Sequence, residues 1–139
     1  MKLIALCVLC AVVSTALAMR KQGVGVKGKL RCGAEPLRNV KVKIFDEDSG
    51  VDPDDLLDEG FTDNQGNFQL DGSTREMTTI DPVLKIYHDC DDGIKPCQRK
   101  IKFTVPDKYI HDGTVKKWFD IGEVNMEIEF QDEERDCSH

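Results

Sequence analysis

The sequence predicts an all-β fold, an antiparallel β-sandwich of seven or eight short strands with at most one short helical turn. Three observations predict it. Apolar residues recur with period two, as where Val40, Val42 and Ile44 alternate with Lys41 and Lys43, while apolar spacing at i, i+3 and i+4 hardly occurs. Clusters of turn-forming residues separate these stretches at roughly the spacing found in sandwiches. No helical pattern alternates with the strands, which argues against a parallel α/β arrangement.

Each element follows from its own residues. Val24, Val26, Gly28 and Leu30 alternate with Gly25, Lys27 and Lys29, giving a half-buried strand with a basic outer face. Residues 33–37 (Gly-Ala-Glu-Pro-Leu) are turn material, so the strand over residues 40–44 follows as a hairpin partner or across a sheet-to-sheet connection. Within residues 53–57, Pro53 suits a first helical position, Asp52 can cap and Asp54 and Asp55 face the dipole, which predicts one helical turn. Residues 57–62 read as a strand, 63–66 as a turn with Gly66 available for positive φ, and 67–70 as the returning strand. Two further runs, 83–88 and 99–105, flank a loop that begins at Cys90 and ends at Cys97. Residues 118–121 and 124–130 alternate again, with Val124, Met126, Ile128 and Phe130 on one side. Only residues 131–139 look tail-like, and Cys137 is expected to tie them down.

The N-terminus bears on compartment. Lys2, an almost wholly apolar run over residues 3–13 and the small-x-small site Ala16-Leu17-Ala18 form the pattern of a secretory signal peptide, residues 1–18. That apolar run is well short of the roughly 20 residues a bilayer requires. Cys7 and Cys10 would leave with the leader, and residues 19–139 suit a single domain. Its four cysteines, Cys32, Cys90, Cys97 and Cys137, favour two disulfides in a secreted chain, although four cysteines allow three pairings.

The formal charge of −7 argues against nonspecific binding to nucleic acid by net charge. Its distribution is uneven. Residues 20–43 hold eight basic residues against Glu35, residues 46–63 nine acidic and no basic ones, and residues 95–117 seven basic against Asp107 and Asp112. If the basic segments share a face, an anion-attracting patch exists despite the overall sign.

The candidate chemistry is sparse. The acidic run over residues 46–55 invites a calcium reading, but aligned on Asp46 its Gly falls at the fifth position and Leu57 stands where a bidentate Glu is needed, so a solvated loop is the better reading. His88, Cys90 and Cys97, completed by His111 or Asp89, do not have the close cysteine spacing of structural zinc sites. His88 is in phase with Leu84 and Ile86, which predicts an inner-face imidazole needing a hydrogen-bond partner. His88, His111 or His139 with Ser49, Ser73 or Ser138 show no recognisable hydrolase arrangement, and no phosphate loop is present. The chain is therefore expected to be non-enzymatic, with no cofactor and no metal. Tyr87, Tyr109, Trp118, Phe119 and Met77 either form a ligand groove or close the ends of the sandwich.

The order of landmarks carries a resemblance. V-K-G-K-L-R-C at 26–32, V-K-V-K-I-F-D at 40–46, D-P-D-D-L-L at 52–57, F-T-D-N-Q-G-N-F at 61–68, T-T-I-D-P at 78–82, I-Y-H-D-C at 86–90, K-P-C-Q-R-K at 95–100 and R-D-C at 135–137 together resemble the nematode transthyretin-like secreted proteins. The resemblance implies a transthyretin-like (prealbumin-like) β-sandwich in the extracellular space, engaging a lipid, a small hydrophobic molecule or a cell-surface receptor, with a homodimer left open. It carries over no catalytic set. The related hydroxyisourate hydrolases end in a Tyr-Arg-Gly-Ser type motif, whereas this chain ends Asp136-Cys137-Ser138-His139. The resemblance also implies the pairs Cys90–Cys97 and Cys32–Cys137, on which Cys137→Ser should cost more stability than Cys97→Ser. Partner or ligand contacts are expected at Arg99, Lys100, Lys102, Lys116, Lys117, Tyr109 and Trp118. An alternative reading uses the basic residues 95–117 to bind an anionic membrane surface.

Overall fold

A computed structural model describes residues 7, 19–48 and 53–139, so the expected leader lies outside the described residues except at Cys7. The strands are β1 (Arg20–Cys32), β2 (Glu35–Pro36), β3 (Lys41–Asp46), β4 (Asp55–Phe61), β5 (Asn67–Glu76), β6 (Pro82–His88), β7 (Gln98–Thr104), β8 (Phe119–Asn125) and β9 (Glu134–Asp136). A 3-10 turn occupies Asp107–Tyr109 after Pro106. One sheet contains β1, flanked by β5, β8 and the short β2; the other has the order β4-β3-β6-β7-β9. The all-β sandwich expected from the period-two pattern is present. Among the described residues, no helix is long and apolar enough to cross a membrane.

Alternation decides what lies between the sheets. Val24, Val26 and Leu30 of β1 and Phe68 and Leu70 of β5 face Val42 and Ile44 of β3, Leu84 and Ile86 of β6 and Ile101 of β7. Burying such a side chain contributes roughly 1.5–3 kcal/mol, enough to fix which face of each strand points inward. Two strands are covered on both faces. β6 is buried along its whole length, because Lys85 and Tyr87 on its outer side are roofed by Asp54 and His139. On β1, Gly23 and Gly25 face the segment between the 3-10 turn and β8. A Cβ at Gly25 would stand 2.7 Å from Trp118, and one at Gly23 would stand 3.0 Å from His111. The glycines therefore let that segment lie against the sheet.

Several expectations change. The turn at Asp63 to Gly66 is present, held by Asp63 accepting from the backbone of Gln65 and Asn67 at 2.9 Å, with Gly66 at φ +83°. It is a corner and not a hairpin, since β4 pairs with β3 and β5 with β1. Residues 33–34 turn β1 back onto the short β2 in the same sheet, and only after β2 does the chain cross to β3 in the other. The helical turn over residues 53–57 is absent: Asp55 and Leu56 pair with Asp46 and Phe45, so ladder bonds take the backbone; Asp52 lies outside the described residues. The expected strand over residues 124–130 stops at Asn125, whose side chain accepts from Gly33 and Glu127 backbone N–H groups while Met126 N–H bonds Arg31. β8 also runs parallel to β1, an exception in a largely antiparallel fold.

The disulfide pairing changes too. Cys32 bonds Cys90 and Cys97 bonds Cys137. Cys90 points into the core, 5.6 Å Cα to Cα from Cys32 at the end of β1, so this bond links the two sheets. Gln98 lies opposite Asp136 in the β7–β9 register, which brings Cys97 beside Cys137.

Candidate functional site

The predicted contact residues separate into two groups. Arg99 belongs to neither as a contact, being buried at 3% exposure beside Ile101 on the inner side of β7. Its guanidinium donates to both oxygens of Glu133 at 2.7 and 2.6 Å and to the carbonyls of Cys90, Met126 and Ile128 at 2.7 to 2.9 Å. All five of its donors are used inside the molecule.

The first group lies on the outer face of the second sheet, where β3, β6 and β7 present lysines in register: Lys43 opposite Lys85, and Lys85 opposite Lys102. Each is matched by an acid. Lys43 meets Glu59 at 3.9 Å, Lys85 meets Asp54 at 3.3 Å, Lys102 meets Glu47 at 3.0 Å and Lys100 meets Glu134 at 3.4 Å. Their ammoniums also stand over rings, with Lys85 4.4 Å from the Phe45 centroid and Lys43 5.4 Å from that of Tyr87. The acidic segments neighbouring β3 and forming β9 thus neutralise this face. A cavity of about 440 Å³ lies there, lined by acids as well as by Lys85, Lys100 and Lys102.

The second group is less completely matched, although Asp107 and Asp112 also line its groove. An open groove of about 850 Å³ runs between the start of β1, the end of β5 and residues 107–117. Arg20, Lys21, Arg75, Lys108, Lys116 and Lys117 line it, all exposed. Among the described residues only Lys116 of these six has an ion-pair partner, Asp112 at 3.6 Å. Lys21 and Arg75 are direct cross-strand neighbours, a like-charge placement that costs stability, and neither has an ion-pair partner among the described residues. Lys108 and Lys117 share the ring of Tyr109, 5.3 and 5.1 Å from its centroid. Tyr109 is packed on Phe119 at 5.0 Å, and Trp118 lies against Gly25 with Lys27 5.8 Å from its ring. Of these aromatics only Tyr109 lines the groove, with Phe119 packed behind it, while Met77 stands exposed outside it. Arg20, Lys21, Arg75 and Lys108 were not singled out from sequence; only the strand register shows that Lys21 and Arg75, far apart in the chain, are neighbours.

The remaining candidates are structural. Cys90 and Cys97 are consumed by disulfides, and His111 lies against the other sheet, bridged to Gly23. His111, Asp71 and Ser73 do converge around Gly23. Gly113 N–H donates to His111 Nδ1 at 3.3 Å and Nε2 meets Asp71 Oδ1 at 3.2 Å, so neither ring nitrogen is free to take a proton from Ser73. Asp46, Asp55 and Glu76 bring oxygens within 4.8 Å of one another, and burial with these like charges raises the Glu76 pKa. Ser49 and Asp52 of the acidic run lie outside the described residues.

His88 is buried on the inner face as expected, its Nδ1 accepting from Cys90 N–H at 3.1 Å. Nε2 has no partner among the described residues. Burial, reinforced by the Arg99 cation, lowers its pKa from 6.5 to about 4. Folding therefore favours the neutral ring. The stability this confers is complete above pH 6.5 and is lost as pH falls towards about 4. His88→Asn keeps an acceptor for Cys90 and is expected to flatten that acid dependence in urea titrations; an unchanged slope across this window would refute the assignment.

The transthyretin-like family matches residues 27–106, from the middle of β1 through β7. This chain belongs to the transthyretin-like family. Its similarity to Caenorhabditis elegans proteins extends further. Transthyretin-like protein 33 is 54% identical, covering 95% of this chain and 92% of that one. Transthyretin-like protein 5 is 49% identical with all of both chains covered, and transthyretin-like protein 46 is 53% identical over 92% of this chain and 73% of its own length. In this transthyretin-like chain the groove spans the family match unevenly: Arg75 falls inside the matched residues, and Arg20, Lys21, Lys116 and Lys117 fall outside them.

Proposed function

We propose that this transthyretin-like chain is a secreted, non-enzymatic binding protein and that its ligand surface is the basic groove between β1, β5 and residues 107–117. The ligand is anionic. The observation that carries this is the Lys21–Arg75 pair, which has no ion-pair partner among the described residues, whereas the in-register lysines of the second sheet are each offset by an acid, Lys43 by Glu59 and Lys102 by Glu47. A small hydrophobic molecule fits less well, because charged and polar side chains dominate the lining. The leader-like N-terminus and two disulfides support an extracellular setting. The absence of a free base at the His111–Ser73 site supports a binding role.

Inositol hexakisphosphate, as a small dense anion, tests the groove. Its addition is expected to shift the amide resonances of Lys21, Arg75, Lys108 and Lys117. Shifts confined to Lys100 and Lys102, or none, would refute the placement.

A further inference from the structure

Resting on the groove reading above, we infer that the natural occupant is a linear sulfated polysaccharide. The first reason is the distribution of charge. The six cations come from three separate chain segments and line both walls of an open trough, and none is buried. A single phosphate or carboxylate is held by donors converging on one point. Cations spread along a trough instead suit a ligand that carries anions repeatedly along its length.

The second reason is what the groove lacks. Binding to a membrane surface combines basic residues with apolar side chains projecting at the same level. The exposed Leu56, Phe61, Met77, Ile94 and Ile128 all lie outside the groove, whose one exposed large apolar residue among the described residues is Met19, 38% exposed. Single-stranded nucleic acid requires aromatic faces open for stacking. The groove's one aromatic, Tyr109, is packed on Phe119 and carries two ammoniums. Sugar rings joined by sulfate groups need neither anchor nor stacking face.

The third reason is local. Lys108 and Lys117 are gathered on one ring with no carboxylate paired to either among the described residues, and Lys21 and Arg75 are gathered by strand register. Each doublet is satisfied by one anionic group, and two doublets set at different positions on the groove call for two such groups on one chain. The arginines suit sulfate well, since a planar guanidinium is weakly hydrated and donates a bidentate pair.

The test is calorimetric titration of the full chain with a heparin-derived oligosaccharide, with the same oligosaccharide after desulfation, and with phosphatidylcholine vesicles containing phosphatidylglycerol. Binding to the sulfated form is expected to weaken roughly tenfold or more as salt rises from about 50 to about 200 mM. Desulfation should abolish it. Lys21→Gln with Arg75→Gln should weaken it at least about tenfold, the loss of two charge-assisted contacts, whereas Lys100→Gln with Lys102→Gln should leave it unchanged. Heparin affinity untouched by the groove variant overturns the inference. So does groove-dependent binding to vesicles in preference to the oligosaccharide. If heparin fails to bind while inositol hexakisphosphate still shifts the groove amides, the polysaccharide assignment falls and the groove stands. If neither binds, both fall.

Discussion

Arg99→Met is expected to cost roughly 3–5 kcal/mol, the range for breaking a buried ion pair by removing one partner. The substitution keeps an unbranched apolar stem as far as the ε position, so little of the stem's packing is lost. What it removes is the fork that satisfies Glu133 and three backbone carbonyls at once. Those carbonyls belong to Cys90, Met126 and Ile128, so Arg99 fixes the loop after β8 onto the β6–β7 pair; without it a carboxylate is left largely buried and unpaired. Arg99→Lys should recover only part of the loss, because one ammonium cannot reach five acceptors spread around a planar group. The pair also has a pH signature. The hydrogen bond from Arg99 holds the Glu133 pKa below its ordinary 4.5, so this stabilisation is present above that pH and is lost as pH falls below it. Urea titrations of Arg99→Met, Glu133→Leu and the double variant decide the matter. The double variant should lose much less than the sum of the two singles. A loss below about 1 kcal/mol for Arg99→Met, the level of an exposed pair, would show that the network does not carry this stability.

The period-two pattern contained more about Arg99 than its charge suggested. Arg99 is in phase with Ile101 and Phe103, so alternation alone places it inside, and only grouping it with Lys100 and Lys102 as a basic run makes it a surface contact. The β6–β7 pair was legible because both strands alternate and the loop between them is short. The corner at Asp63 to Gly66 was legible as a turn but not as a change of sheet. Turn chemistry is local, whereas the sheet that β5 joins is set by its long ladder with β1, from Asn67 opposite Lys29 to Glu76 opposite Arg20. Alternation ran on past Asn125 because Val124, Met126, Ile128 and Phe130 keep the period, yet Met126 is buried and Ile128 is exposed. The chain leaves the ladder there to supply carbonyls to Arg99, a demand that no local pattern records. The groove was half legible. Lys116, Lys117 and Tyr109 stood out as one basic segment, while Arg75 is isolated in sequence beside Glu76 and gains its meaning only opposite Lys21.

Cys97→Ser and Cys137→Ser are expected to lose equal stability, and Cys32→Ser and Cys90→Ser to form a second equal pair. The bonds close 40 and 58 residues, for which chain entropy gives about 4 kcal/mol each, so magnitude barely separates them. The grouping does. Under the pairing implied by family resemblance, Cys97 would match Cys90 and Cys137 would match Cys32, with Cys137→Ser the more costly. Double variants sharpen the contrast, because two substitutions that break one bond cost about as much as either alone, whereas two that break different bonds cost approximately the sum. The two bonds also differ in what their loss releases. Cys32–Cys90 joins the ends of β1 and β6 across the core, and its removal should lower the stability of the whole sandwich. Cys97–Cys137 anchors the strand whose Glu134 and Asp136 neutralise Lys100 and, beyond it, the His139 ring stacked 4.4 Å from Tyr87. Breaking it should first free β9 alone, seen as faster amide exchange along the β7 edge at Gln98 and Lys100 before the core opens. Faster exchange spread evenly over both sheets would instead mean that the tail and the core unfold as one unit.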